Sequence, residues 1–251
     1  MTELPERTAL RLEIAVVLTV TFGLSGLSAA LSLTQSALGP GGLSGHTVSL
    51  NQSRSKLSIL DLLWQLLDAL QLFGWAGLAL YLLWRGGVGP KAIGLGRPRP
   101  RPDGLASLAL AALIGLPGLA LYLVAHRLGL AVTVVPSSLQ DHWWRPWVLI
   151  LAAFANAVAE EVVVVGFLLQ RLRKLGWSDD RALAASALLR GSYHLYQGVG
   201  GGLGNLVMGL VFGRYWQRNT RLWPLVLAHA TIDAVAYIGY PILHKSVSWL
   251  P

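Results

Sequence analysis

The 251-residue chain is predicted to be all-α, a polytopic transmembrane helical bundle of about seven or eight spans. Hydrophobic residues make up 54% of it and charged residues only 13%, where soluble domains carry roughly 25% charge. Seven apolar runs approach the roughly 20 residues that a helix needs to cross a bilayer. The basic residues between those runs fall mainly on alternate sides, as membrane topology requires.

The first run, Leu12–Leu33, is too long for a signal-peptide core, and no small-residue cleavage site follows it. It is expected to remain as an anchor. A polar outer loop, Gly39–Ser55, leads to Leu57–Trp84, where Asp61, Gln65, Asp68 and Gln71 recur at helical spacing. That stripe fits either the polar interior of a bundle or a face giving access to water or substrate. Gly86–Arg101 (GGVGPKAIGLGRPRPR) is expected to be an irregular basic linker. It divides N-terminal helices and their loop, 1–103, from a helical core, 104–251, within a single integral membrane domain. Leu105–Ala125 follows, and Leu128–Leu139 has room for an eighth, re-entrant or interfacial element. The remaining runs are Trp147–Leu169, Ala182–Tyr196, Leu203–Tyr215 and Trp223–Leu243. The fifth and sixth are short, and the glycines of Gly198–Gly204 interrupt helix between them.

With the N-terminus cytoplasmic, the inner segments hold Arg7, Arg11, Arg85, Lys91, Arg97, Arg99 and Arg101. They also hold Arg171, Arg173, Lys174, Arg181, Arg214, Arg218 and Arg221, which makes 14 of the 20 basic residues. Only Arg54, Lys56, Arg127, Arg145 and Lys245 fall outside, and Arg190 lies within a span. This asymmetry places a multi-pass protein in the cytoplasmic membrane, and accounts for the net charge of +8 without a nucleic-acid partner. Trp143, Trp144 and Trp147 at one boundary, and Trp216 and Trp223 at the other, are expected to form aromatic belts. The chain has no cysteine, which rules out disulfides, Fe–S clusters and thiolate-bound zinc.

The chemistry is concentrated in three apolar runs. Glu160 and Glu161 stand side by side in WVLILAAFANAVAEEVVVVGFLL. A charge at membrane depth costs at least about 2.5 kcal/mol, so such groups are rare and usually functional. Asn156 shares a helical face with Glu160, while Glu161 lies about 100° round, so one carboxylate can face a cavity while the other meets a neighbouring helix. Arg190 and His194 are four residues apart in the fifth run. Arg190 keeps its charge, needs a carboxylate or aqueous partner, and finds natural candidates in the glutamates. His229 and Asp233 stack at i, i+4 in the last run. His46, His126, His142 and His244 fall in loops or at span edges and are given no role.

These residues resemble the intramembrane CPBP family, which includes the type II CAAX prenyl endopeptidases and bacteriocin-processing or self-immunity proteins. That family carries Glu-Glu-x-x-x-Arg followed by Gly, then Phe-x-x-x-His, then His-x-x-x-Asn/Asp. Glu160, Glu161 and Gly166-Phe167-Leu168-Leu169 match the first motif, His194 with LYQG the second, and His229 with Asp233 the third. The resemblance spans Trp147–Tyr240. It departs at Val165, where the family usually has Arg, and at Arg190, where it usually has Phe. One reading is that the cation has moved, with Arg190 supplying from the fifth span the charge that position 165 lacks.

The resemblance implies a metallo- or glutamate-type endopeptidase that hydrolyses peptide bonds of membrane-associated proteins or peptides within the bilayer. Glu160 would act as general base and His194 would position water. His229 and Asp233 would stabilise the oxyanion, Asp233 by orienting His229. Alternatively, Glu160, His194 and His229 would hold Zn²⁺ and the metal would activate the water. The partners implied are a peptide or membrane-protein substrate and the lipid bilayer. Two other classes compete: a non-catalytic immunity or regulatory scaffold, which Val165 favours, and a proton-coupled transporter, against which the absence of internal repeats counts.

Overall fold

The computed structural model describes residues 6–239; the end of the last predicted span, and Lys245, lie outside them. The architecture is all-α. In chain order the helices are α1 Glu6–Val20, α2 Phe22–Leu38, α3 Ser58–Arg85, α4 Pro100–Arg127 and α5 Arg145–Glu160, then α6 Leu168–Lys174, α7 Asp179–Tyr193, α8 Val199–Asn219 and α9 Trp223–Ala234. Two three-residue strands, β1 Thr47–Ser49 and β2 Thr133–Val135, pair in parallel with Thr47 opposite Thr133.

Each predicted apolar run meets a helix, and two are modified by local chemistry. The first breaks into α1 and α2, which meet at a 50° bend. At that bend the Thr21 hydroxyl donates to the Val17 carbonyl at 2.7 Å, a back-bond that draws carbonyls out of the helical ladder and bends it. The fourth is one 30-residue rod, Arg145–Lys174, in which a π-helical stretch, Glu161–Phe167, joins α5 to α6. The Ser186 hydroxyl of α7 donates to the Val164 carbonyl of this stretch at 2.7 Å.

Three helices are long and apolar enough to cross a membrane, or four if the bent α1–α2 pair counts as one span. In the rod 67% of the apolar window is buried, against 22% in α3 and 11% in α4. The rod is therefore the axis of the bundle, while α3 and α4 present Leu-rich faces outward. Helices α7 and α8 pack closely because position 209 has no side chain: a Cβ on Gly209 would stand 2.8 Å from the Ala187 Cα.

Several expectations are corrected by this packing. Of the Gly198–Gly204 segment only Gly198 interrupts helix, together with the short 3₁₀ turn Leu195–Gln197 before it, since α8 already runs from Val199. Leu128–Leu139 forms no re-entrant helix; it is irregular but for the short strand β2 within it. Two of the five belt tryptophans are core residues. Trp144, 2% exposed, donates its indole N–H to Ser58 Oγ, and Trp216, 1% exposed, donates to the Ile93 carbonyl. Buried indoles need such partners. The stripe on α3 is spent on the loop that precedes it: the Asp61 carboxylate accepts from Ser53 Oγ at 2.6 Å and from the Arg54 amide at 2.7 Å, and Asp68 pairs with Arg54.

One buried ion pair joins the N-terminal helices to the rod. Arg171 is 1% exposed; its Nε donates to Glu13 Oε1 at 2.6 Å and its Nη2 to the Leu82 carbonyl at 2.6 Å. Arg171→Met is expected to lower stability by roughly 2–3 kcal/mol through loss of these charge-assisted bonds. Thermal unfolding in detergent checks this, and an unchanged midpoint would show the pair to be dispensable.

Candidate active site

The π stretch begins at Glu161, immediately after Glu160 ends α5. Such π segments are rare and are found frequently at functional sites. Here the two carboxylates part company. Glu161, fully buried, accepts through one oxygen, Oε1, from Arg190 Nη2 at 2.7 Å and from His229 Nδ1 at 2.8 Å. Glu160, 3% exposed, accepts at Oε2 from the Tyr193 hydroxyl at 2.6 Å. Arg190 Nη1 stands 3.8 Å from that oxygen. Arg190 is fully buried, lies over the Phe212 ring and faces both glutamates, so a permanent cation offsets the repulsion between the two carboxylates.

The two histidines are each held at Nδ1. His194 closes α7, and its Nδ1 lies 3.0 Å from the Arg190 carbonyl; a carbonyl only accepts, so that nitrogen carries the proton. Its Nε2 is left as an acceptor and faces Glu160 Oε1 at 4.0 Å. His229 likewise donates from Nδ1, to Glu161, and its Nε2 is 3.6 Å from Asp233 Oδ2. The carboxylate that holds His229 by a hydrogen bond is thus Glu161, across the bundle, rather than Asp233 four residues along. A hydrogen bond fixes a ring orientation, and 3.6 Å is too long for one.

Asp233 belongs to a polar wall of its own. Its Oδ2 accepts from Asn156 Nδ2 at 3.0 Å and from the Tyr237 hydroxyl at 3.4 Å. The seven residues singled out in the sequence, Asn156, Glu160, Glu161, Arg190, His194, His229 and Asp233, therefore form one connected cluster on the rod, α7 and α9. Tyr193 and Tyr237 complete it, beyond the seven that the sequence singles out. Tyr237 follows Asp233 by four residues, a signal present in the sequence; Tyr193 is placed only by the packing of α7 against the π stretch of the rod.

The cluster as arranged does not fit a three-ligand zinc site. Zinc binds nitrogen and oxygen at about 2.0–2.2 Å, which requires its ligands to converge on one point. Among the described residues no group of three or more His, Asp or Glu side chains is placed to hold a metal ion.

Residues 142–235 match the family model described as type II CAAX prenyl endopeptidase Rce1-like. The matched stretch holds every residue of the cluster except Tyr237. No curated protein and no solved structure matches the chain.

Proposed function

We propose that this chain is an intramembrane endopeptidase acting on membrane-associated proteins or peptides, a reading supported by the match of residues 142–235 to the type II CAAX prenyl endopeptidase Rce1-like model. The observation that carries the reading is the 4.0 Å separation between Glu160 Oε1 and His194 Nε2. It is too long for a direct hydrogen bond and suits one water held by both at about 2.8 Å each. Both atoms are acceptors, so they orient a water whose two protons point at them and whose free lone pair points away.

Glu160 takes a proton as that water attacks the peptide carbonyl carbon, giving a tetrahedral oxyanion. Collapse of the oxyanion breaks the C–N bond, and Glu160 returns the proton to the leaving amine. Tyr193 keeps the other Glu160 oxygen occupied, so Oε1 alone is left to act as base. His194 steers the water and needs no change of charge.

The oxyanion requires N–H or O–H donors. An ionised Asp233 is an acceptor only. His229, already donating from Nδ1, can donate from Nε2 only as the imidazolium. Asn156 has a second amide proton beyond the one given to Asp233, and we assign it the donor role, with Asp233 holding it. Removing one such donor typically costs about 10²–10³ in kcat. Asn156→Ala is expected to show that loss with KM little changed, and an unaltered kcat would remove Asn156 from the mechanism.

The reading is tested by incubating purified wild type and Glu160→Gln with a library of peptide and membrane-protein substrates, and by analysing metal in the same samples. Cleavage by wild type that the variant lacks supports an endopeptidase. Stoichiometric zinc would replace the metal-free route with one in which Glu160, His194 and His229 regroup as ligands. A folded wild type that cleaves nothing would favour the non-catalytic scaffold. The cation asymmetry supports a cytoplasmic N-terminus and a place in the cytoplasmic membrane.

A further inference from the structure

The loop between α3 and α4 is not the slack linker its glycines and prolines suggest. Two indoles pin it: Trp216 Nε1 donates to the Ile93 carbonyl at 2.9 Å and Trp223 Nε1 to the Gly96 carbonyl at 2.8 Å. Gly94 turns between them with φ +87°, pressed against the backbone of Arg221 and Leu222 so closely that no side chain fits. This held loop forms one wall of a cleft of about 850 Å³, lined by Lys91, Arg97, Arg99, Arg221 and Asp103 among others.

Asp103 is the one acid in that lining, and it is already committed. Arg221 pairs with both of its oxygens, and the Arg99 amide donates to Oδ2 at 2.7 Å. Lys91, Arg97 and Arg99 are exposed, and among the described residues none of them has a carboxylate partner. The cleft therefore holds three uncompensated cations in a rigid concave site. Tyr215 and Asn219 line it too, and the same two residues line an adjoining groove of about 600 Å³. That groove is mainly apolar, walled by Leu110, Leu113, Leu183, Leu210 and Val211 on α4, α7 and α8, with Arg214 and Arg218 also in its lining.

A cationic cleft running into an apolar groove along the helices is the shape of an anionic amphiphile. We propose that the cleft binds the phosphate headgroup of an acidic phospholipid and that the groove takes one of its acyl chains. Topology alone explains an excess of cations at this end of the bundle, since Arg11, Arg85 and Arg101 lie exposed there as well. It does not explain a preorganised pocket, nor its continuity with an apolar channel. Basic pockets between transmembrane helices recognise anionic headgroups by this combination. A free phosphate ester would use the cleft and leave the groove without purpose. The inference does not depend on the chain being a protease.

The full-length protein in phosphatidylcholine nanodiscs, with phosphatidylglycerol titrated in, provides the test, with retained lipid read by native mass spectrometry. The lining variant Lys91→Gln/Arg97→Gln/Arg99→Gln is expected to lose retention of phosphatidylglycerol by about 100-fold. The control Arg11→Gln/Arg85→Gln/Arg101→Gln removes the same charge outside the cleft and is expected to change it severalfold at most. Val211→Trp fills the groove and is expected to release the lipid while all cations remain. Equal losses in lining and control variants would reduce the effect to surface charge and overturn the proposal. Soluble glycerol phosphate bound as tightly as the lipid, or unchanged binding in Val211→Trp, would overturn the lipid as occupant.

Discussion

Glu160→Gln is expected to abolish cleavage, by about 10²–10⁴-fold or more, while the protein stays folded; Glu161→Gln is expected to do damage chiefly through stability. The two side chains are neighbours in sequence with similar burial, so the difference lies in their partners. Glu160 is bonded once, by the Tyr193 hydroxyl, and its other oxygen faces His194 across 4.0 Å. A glutamine oxygen can still accept from Tyr193, so packing survives while the base is lost. Glu161 is the counter-charge of a buried arginine and the anchor of His229 through a single oxygen. Its amide leaves Arg190 with only the more distant Glu160. Melting temperature and kcat of the two variants, measured side by side, separate the roles. Glu160→Gln with wild-type turnover would remove it as the base, and an unshifted melting temperature in Glu161→Gln would remove its structural role.

Arg190→Phe is expected to destabilise the protein by about 3–5 kcal/mol, the cost of leaving buried charge without its partner. Two carboxylates lie within 3.8 Å of this guanidinium, and it is fully buried, so water cannot substitute for it. Adding Val165→Arg is expected to recover most of the loss. Position 165 is one turn along from Glu161, fully buried in the π stretch, and it is where the family this chain resembles carries its arginine; that family has Phe at position 190. The double variant thus returns the cation to the rod and the aromatic ring to α7. Recovery would show that the charge moved between helices while the site kept its balance. A single variant as stable as wild type would show that the ion pair contributes nothing, and a double variant no better than the single would refute the exchange. Thermal unfolding and yield of monodisperse protein provide the readout.

Much of the site was legible because its residues are anomalies in their surroundings. Carboxylates, an arginine and histidines in apolar runs stand out on composition alone, and charge balance alone predicts that Arg190 seeks a glutamate. Which glutamate it meets was not legible. Adjacent residues on a helix differ by about 100°, and only the packing of α7 and α9 around the rod decides which of Glu160 and Glu161 faces which neighbour. The same limit applies to His229. Its i, i+4 partner Asp233 is visible in sequence, yet the hydrogen bond goes to Glu161, 68 residues earlier. Tyr193 is not legible in the sequence, because a tyrosine in an apolar helix looks like ordinary bulk until its hydroxyl finds a buried acid.

By itself the sequence determined the all-α membrane architecture, the positions of the helices and the inventory of reactive groups, because apolar runs and isolated charges are local properties of a chain. The tertiary structure decided what those groups do to one another. It separated a held carboxylate from one left facing a histidine, and buried two belt tryptophans as core. It also turned a glycine- and proline-rich loop into the wall of a cationic cleft. Each of these depends on contacts between residues far apart in sequence, and no local pattern records such contacts.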